Sequence, residues 1–192
     1  MYESLKIINW PDPRLKKISR PVDLFNDDLH RLTTRMFELM RERRGVGLAA
    51  PQVGLNIRLF VVNPTGEPAD DRIYVNPELF DLEGEEEAEE GCLSLPQVNV
   101  NVWRAKDARI RAQNLQGDTF EEVLSGYVPR IWQHEHDHLN GTLLTDRMGA
   151  VAKMSHRRIL KELQQQYAAE HPQVAAPTRP PSPRTARKRR RA

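Results

Sequence analysis

The sequence is poor in cysteine, and Cys92 is the only one among its 192 residues. A lone cysteine excludes an intramolecular disulfide, which leaves packing, metal ligation and nucleophilic catalysis as its roles. Few cysteines are also typical of proteins in a reducing compartment. We therefore expect this protein to act in the cytoplasm.

Long apolar segments are missing as well. No apolar run reaches the length of about 18 residues that a membrane-spanning helix needs. The segment from Met1 to Lys6 lacks the charged-then-apolar pattern of a secretory signal. We expect no membrane contact. Because 192 residues are enough for one proper core, we also expect a single folded domain.

Acidic residues are absent from the end of the chain. Between Pro172 and Ala192 there are seven basic residues and almost no large apolar ones. Such a segment cannot bury enough surface to fold. The composition therefore predicts a folded catalytic domain over residues 1–170 and a disordered, basic, Pro/Arg-rich tail over residues 171–192.

The segment at residues 134–138 reads HEHDH, which is an HExxH motif. Residues four apart share one face of a helix, so His134 and His138 can aim two imidazoles at one metal ion. Glu135 follows the first of them and is placed to take a proton from a water at that metal. Pro129 suits the first turn of such a helix, and Gly141 suits its end.

Cys92 offers a third ligand. A cysteine and two histidines would leave one coordination position open, as in catalytic rather than structural metal sites. A buried packing role is the alternative for an isolated cysteine. A Cys–His nucleophile pair is a further alternative. It leaves the spacing of the two histidines and Glu135 unexplained, so ligation ranks above it.

A glycine-rich segment, GVGLAAPQVG at residues 45–54, supplies a third group of candidates. It does not show the dinucleotide-binding fingerprint, which excludes a nucleotide site there. Small residues allow the backbone to pass close to a substrate. The amide of Gln52 could donate a hydrogen bond to a developing oxyanion. A plain turn with a surface glutamine is the alternative.

Together, GVGLAAPQVG, EGCLSLP at residues 90–96 and QHEHDHLNG at residues 133–141 resemble the three signature motifs of the peptide deformylase family, in the same order. The resemblance spans roughly the first 165 residues. It implies a hydrolase that removes the formyl group from the N-terminal N-formylmethionine of newly synthesised polypeptides and releases formate. It also implies an α+β fold in which antiparallel sheets pack around the HExxH helix.

The resemblance assigns roles to particular residues. One divalent ion is implied at Cys92, His134 and His138. Fe²⁺ is expected there, although Zn²⁺, Ni²⁺ or Co²⁺ also suits these ligands. Glu135 is implied as general base and acid, with the Gln52 amide and the Leu93 backbone N–H binding the oxyanion. The implied substrate-binding residues are Gly45, Val46, Gly47, Leu93, Tyr127 and Ile131.

Two other functions remain open at this point. An HExxH metallopeptidase shares the helix but normally takes its third ligand downstream, whereas Cys92 lies upstream. A nucleic-acid-binding protein could act through the basic tail by salt-sensitive contacts to phosphates. Such RNA contact, together with transient ribosome contact, would suit an enzyme that acts on nascent chains.

The remaining pattern predicts the main elements. An amphipathic helix capped by Asn26 is expected to end near Arg43, and a last helix is expected over residues 155–168. Strands are predicted at residues 58–62 and 72–76, each closed by an Asn-Pro pair. A hairpin is predicted from residues 108–113 and 120–124. Six glutamates at residues 83–90 suggest a solvated turn or strand edge, with Glu90 paired to a base such as Arg104.

Overall fold

The computed structural model describes residues 2–172. Apart from its first two residues, the predicted tail lies outside this range. None of the helices within residues 2–172 is long and apolar enough to cross a membrane.

Within residues 2–172, one α-helix is followed by seven strands and then by four α-helices, the segregated order expected of an α+β fold. The helices are α1 (Asp27–Glu42), α2 (Tyr127–Leu139), α3 (Leu144–Arg147), α4 (Ala150–Ser155) and α5 (Arg157–Glu170). The strands are β1 (Gly47–Ala49), β2 (Leu59–Val62), β3 (Arg72–Glu83), β4 (Glu86–Cys92), β5 (Leu95–Arg104), β6 (Asp107–Gln113) and β7 (Thr119–Ser125). Short 3₁₀ helices occupy Pro13–Lys16, Ala50–Val53 and Pro68–Asp70.

The strands form two antiparallel sheets. One has five strands in the order β1-β2-β3-β6-β7, and the other is the hairpin β4-β5. The predicted hairpin at residues 108–124 is confirmed as the β6–β7 pair. The antiparallel pairing of both sheets confirms the predicted fold class.

Helix α1 packs one face into the core beneath β1 and β2. The Asn26 side chain accepts hydrogen bonds from the backbone N–H groups of Asp28 and Leu29, which fixes the start of the helix. The apolar residues at helical spacing are buried, as predicted: Leu29, Leu32, Met36, Leu39 and Met40. Because α1 ends at Glu42, the loop that follows leads directly into β1 and the glycine-rich segment.

Strand β3 corrects one prediction. The Asn76-Pro77 pair does not end the strand, which continues to Glu83 through a shift of register between Val75 and Glu78. Asn76 adopts a left-handed conformation (φ 50°), and its side chain bonds both the N–H and the C=O of Val22. A bulge of this kind tolerates the missing N–H of proline.

The family resemblance implied more than one sheet, but the strand pattern of the sequence did not locate the strands β4 and β5 of the second one. Strand β5 alternates buried and exposed residues along its length, and it pairs with the acid-rich strand β4. The predicted last helix is present as α5, and the short helix α4 that precedes it was not predicted. Of the apolar residues at helical spacing on α5, only Leu163 is buried, while Ile159, Leu160 and Tyr167 are partly exposed. These helices pack beside the β4–β5 hairpin.

Helix α2 lies between the two sheets. Trp132 and Leu139 are fully buried against Phe60 and Tyr74 of the five-stranded sheet. The helix ends at Leu139, and Gly141 follows in a left-handed conformation (φ 70°), as the sequence predicted. The opposite side of α2 faces the β4–β5 hairpin, and the HExxH residues lie between the sheets.

Candidate metal centre

Three side chains from two elements meet at one point. His134 and His138 lie one turn apart on α2, and Cys92 is the last residue of β4. Their donor atoms all lie within 4.8 Å of one another. Cys92 Sγ is 3.3 Å from His138 Nε2. The sequence-predicted ligands are therefore brought together.

The donor set fits a single metal ion. Bond lengths of about 2.0–2.3 Å around a tetrahedral ion would space its donor atoms by roughly 3.3–3.6 Å. Burial lowers the pKa of His138 well below its ordinary value, and the charges of His134 and Arg104 lower it further. His138 is therefore a neutral ring, the form that binds metals.

His134 is held in one orientation. Its Nδ1 lies 3.0 Å from Glu90 Oε2, which leaves Nε2 for a cation. Burial lowers the pKa of His134, but hydrogen bonds to Cys92 and Glu90 outweigh this effect and raise the pKa well above its ordinary value. The surroundings thus favour a positive charge at this ring, which a metal ion would supply in place of a proton.

Glu90 is the acceptor of a buried charge network. Its two oxygens accept hydrogen bonds from Arg104 Nε and Nη2, each at 3.0 Å, and Oε1 also accepts from Arg130 Nη1 at 2.8 Å. Burial alone would raise the pKa of Glu90, but the hydrogen bonds from His134 and Arg104 lower it to about 2. The predicted Glu90–Arg104 pair is present, and it also fixes His134.

Glu135 is buried beside the candidate ligands. Its Oε2 has no hydrogen-bond partner among residues 2–172. Burial raises the pKa of Glu135 to about 7, with the charge of His134 opposing the rise and that of Glu90 adding to it. A carboxyl with a pKa near neutrality can both accept and donate a proton.

Gly47 makes room for this carboxyl. A Cβ atom at this position would overlap Glu135 Oε1 and lie 2.8 Å from Ile131 Cγ2. A Cβ at Gly45 would lie 2.6 Å from Leu93 Cδ1. Close contacts inside the protein therefore leave little space for a side chain at Gly45 or Gly47. The sequence had suggested a close approach to substrate at these glycines, and both also line the cavity described below.

Gln52 is oriented by its own segment. Its Oε1 accepts a hydrogen bond from the N–H of Ala49 at 2.8 Å, so its Nε2 faces the other way. There it lies 3.5 Å from Cys92 Sγ and 3.3 Å from Ser94 Oγ. Gln52 is fully buried, which excludes the alternative of a surface glutamine.

A cavity of about 450 Å³ opens beside these groups. Cys92, His134, Glu135 and Gln52 form its polar end. All of the sequence-predicted substrate-binding residues line it: Gly45, Val46, Gly47, Leu93, Tyr127 and Ile131. Tyr127 stands at the mouth, with 56% of its surface exposed. His138 is buried and does not line this cavity.

Comparison with known proteins identifies the family. The family model described as polypeptide deformylase matches residues 4–154, which is most of the chain. The chain belongs to the polypeptide deformylase family. A peptide deformylase of Thermotoga petrophila is 44% identical over 153 residues, covering 79% of this chain and 92% of that protein.

Solved deformylase structures share the fold. A plant peptide deformylase crystal structure matches with a TM-score of 0.85 at 38% identity, covering 90% of this chain and 95% of that one. The Plasmodium falciparum peptide deformylase matches with a TM-score of 0.84 at 38% identity, covering 86% and 99% respectively. This chain is thus a metal-dependent hydrolase that removes the N-formyl group from newly synthesised polypeptides.

Three residues of α2 next to the deformylase centre bond groups other than the candidate ligands. Gln133 bonds the backbone of Ala105 and Pro129. Asp137 accepts a hydrogen bond from Arg104 at 2.7 Å. His136 contacts Arg58.

The sequence patterns did not predict the contact between Glu90 and His134. A signal for it was present, because Glu90 precedes Cys92 by two residues on β4, and residues two apart on a strand share a face.

Proposed function

We propose that this deformylase holds one divalent ion through Cys92, His134 and His138, and that Glu135 moves the proton during hydrolysis. The observation that carries this proposal is the meeting of the three donors at one point, where Cys92 and His134 border the same cavity as Glu135 and Gln52. Cys92 lies upstream of the helix, which also distinguishes this centre from that of an HExxH peptidase.

A divalent ion at these ligands would act as a Lewis acid toward the formyl carbonyl and toward water. We expect Fe²⁺ from the family resemblance, while Zn²⁺, Ni²⁺ or Co²⁺ would also suit one thiolate and two imidazoles. The buried Glu90 carboxylate supports His134 as a ligand, because it accepts the Nδ1 proton and leaves Nε2 available.

Glu135 provides the general base. Its pKa of about 7 leaves much of it ionised at neutral pH, yet basic enough to accept a proton from the attacking water. As the water oxygen bonds to the formyl carbon, the proton passes to Glu135. When the carbon–nitrogen bond breaks, Glu135 returns that proton to the leaving amine. The products are formate and a free amino terminus.

The oxyanion of the tetrahedral state needs donors that are already in place. Gln52 Nε2 is one, since the bond from Ala49 to Oε1 prevents the amide from turning. The backbone N–H of Leu93, next to Cys92, is the second donor implied by the family resemblance. Because the Gln52 amide is held before substrate arrives, it lowers the cost of reorganisation during the reaction.

The apolar part of the cavity would hold the methionine side chain. Val46, Leu93 and Ile131 provide aliphatic walls, and Tyr127 stands at the mouth. The backbone of Gly45 and Gly47 borders the same space. An unbranched thioether adapts well to such an irregular apolar slot.

The cellular setting follows from the substrate. Newly synthesised formyl-methionine chains emerge from ribosomes, so we propose action in the cytoplasm with transient ribosome contact. The Arg-rich segment at residues 179–191 would supply contact with RNA phosphates. This contact would be an accessory to catalysis, because the proposed chemistry lies between Gly45 and His138.

The test is formate release by Glu135→Gln beside the wild-type protein, with metal content measured on the same samples. The variant is expected to retain metal and lose turnover by about 10²–10⁴-fold or more, since an amide cannot accept the proton. Glu162→Gln, at an exposed position on α5, is the control and should behave as wild type. Nearly full turnover in Glu135→Gln would remove Glu135 from the mechanism.

A further inference from the structure

The metal donors come from two elements whose backbones lie apart. Helix α2, which carries His134 and His138, packs its backbone closely on β1, β2 and β3. Few of its Cα atoms lie near β4 or β5, although β4 carries Cys92. The spacing of the sulfur and the two imidazoles therefore depends on side chains that connect α2 to the β4–β5 hairpin.

Arg130 connects α2 to both strands of the hairpin. From α2, its Nη1 donates to Glu90 Oε1 at 2.8 Å and to the carbonyl of Val102 at 2.9 Å. Its Nη2 donates to the carbonyl of Glu86 at 2.6 Å. Glu86 and Glu90 belong to β4, and Val102 belongs to β5. One buried guanidinium on the helix therefore holds both strands of the hairpin.

The position of Arg130 on the helix places it on the ligand face. It precedes His134 by four residues and His138 by eight, so the three side chains lie along one side of α2. Glu90 is their common neighbour, because its Oε1 accepts from Arg130 and its Oε2 accepts from His134. A displacement of Arg130 would therefore reach both the histidine and the strand that ends in Cys92.

We propose that Arg130 is a positioning residue of the metal centre, which sets the distance between the Cys92 strand and the histidine helix. This inference rests on the ligands proposed above. Arg130 is not needed to balance the charge of Glu90, because Arg104 already donates two hydrogen bonds to that carboxylate. Removing Arg130 would leave Glu90 paired and would remove the ties from α2 to the carbonyls of Val102 and Glu86, while Asp137 of α2 would still bond Arg104.

The experiment measures metal affinity rather than activity. Metal-free protein is titrated with Co²⁺ under anaerobic conditions against a competing chelator, at a temperature where circular dichroism shows each variant folded. The variants are Arg130→Met, which keeps the apolar stem, and Arg130→Lys, which keeps the charge. The absorption of the cobalt–thiolate bond reports whether Cys92 still binds.

A matched control is available on the opposite side of the same helix. Arg58 bonds the carbonyl of Pro77, Asn140 Oδ1 and the ring of His136, so it also ties α2 to its surroundings. It does not touch Glu90 or the β4–β5 hairpin. Arg58→Met should lower thermal stability without changing Co²⁺ affinity.

Arg130→Met is expected to bind Co²⁺ about 10–100-fold more weakly, as is typical when a residue that orients metal ligands is removed. Arg130→Lys should lie between it and wild type, because one ammonium group cannot reach both strands. If Arg130→Met does not fold, wild-type affinity in Arg130→Lys would contradict the proposal and a clear loss would support it.

Two further results would overturn the proposed role of Arg130 while leaving the ligand assignment intact. One is wild-type affinity in folded Arg130→Met, and the other is an equal loss in Arg58→Met. A wild-type protein that binds no Co²⁺ would instead refute the ligand assignment on which this inference rests.

Discussion

Gly47→Ala is a small change with a defined target. The added methyl group would overlap Glu135 Oε1 and crowd Ile131 Cγ2, while no metal donor is among its nearest atoms. Gly47 does not adopt a left-handed conformation, so alanine brings no backbone strain at this position. The substitution therefore acts by pushing the Glu135 carboxylate away from its place beside the ligands.

Two magnitudes follow. Overpacking a buried position costs about 1–3 kcal/mol, and each kcal/mol lowers the melting temperature by about 2–4 °C in a protein of this size. Displacing a catalytic group by about 1 Å lowers turnover by roughly 10²-fold. Loss of formate release should therefore far exceed the loss of stability, and metal content should stay at the wild-type level.

The assay is formate release from a formyl-methionine peptide, with metal content and melting temperature measured beside it. Gly149→Ala is the control, since a Cβ there meets nothing within 4 Å. In a Glu135→Gln background, Gly47→Ala should cost little further turnover, because residues in contact are not additive. An equal loss in both backgrounds, or turnover like wild type in Gly47→Ala, would refute the reasoning.

Three further predictions concern substrate, pH and the tail. N-formyl-Met peptides should be hydrolysed far faster than N-acetyl-Met peptides in a formate and acetate release assay, because we expect the site around the formyl hydrogen to be too narrow for a methyl group. Equal rates would indicate a general amidase. Burial raises the pKa of Tyr74 well above its ordinary value, so the folded protein holds this proton more tightly than the unfolded chain does. The stability from Tyr74 is complete below about pH 10 and falls as the pH rises further; urea unfolding should show this fall in wild type and lose that contribution in Tyr74→Phe. Truncation after His171 should leave kcat/KM on short peptides unchanged and weaken ribosome binding in a salt-dependent way, and identical sedimentation of both forms at low salt would contradict an RNA role.

Local patterns in the sequence were enough to predict much of the centre. Helical spacing places His134 and His138 on one face, and the lone Cys92 within the EGCLSLP segment supplies the third candidate donor. The capping side chain of Asn26 and the apolar spacing of α1 also predict that helix correctly. These features depend on residues a few positions apart, which is the range that periodicity and capping describe.

Features that depend on distant contacts could not be predicted. The acid-rich strand β4 has low strand propensity, but pairing with β5 and burial of Glu90 between arginines stabilise it. The need for glycine at position 47 comes from Glu135, which is 88 residues away in sequence yet adjacent in space. The local Asn-Pro pattern predicted that a strand ends at Asn76. The hydrogen bonds between Asn76 and Val22 instead let the strand continue.

X-ray absorption fine structure, measured above the absorption edge of the bound metal, tests the ligand assignment most directly. The measurement counts the atoms around the ion in anaerobically prepared protein, beside Cys92→Ser. Wild type should show one sulfur at about 2.3 Å and two imidazole nitrogens at about 2.0–2.1 Å, and the sulfur should be missing in Cys92→Ser. A wild-type spectrum without sulfur, or a sulfur that persists in Cys92→Ser, would contradict a centre built from Cys92, His134 and His138.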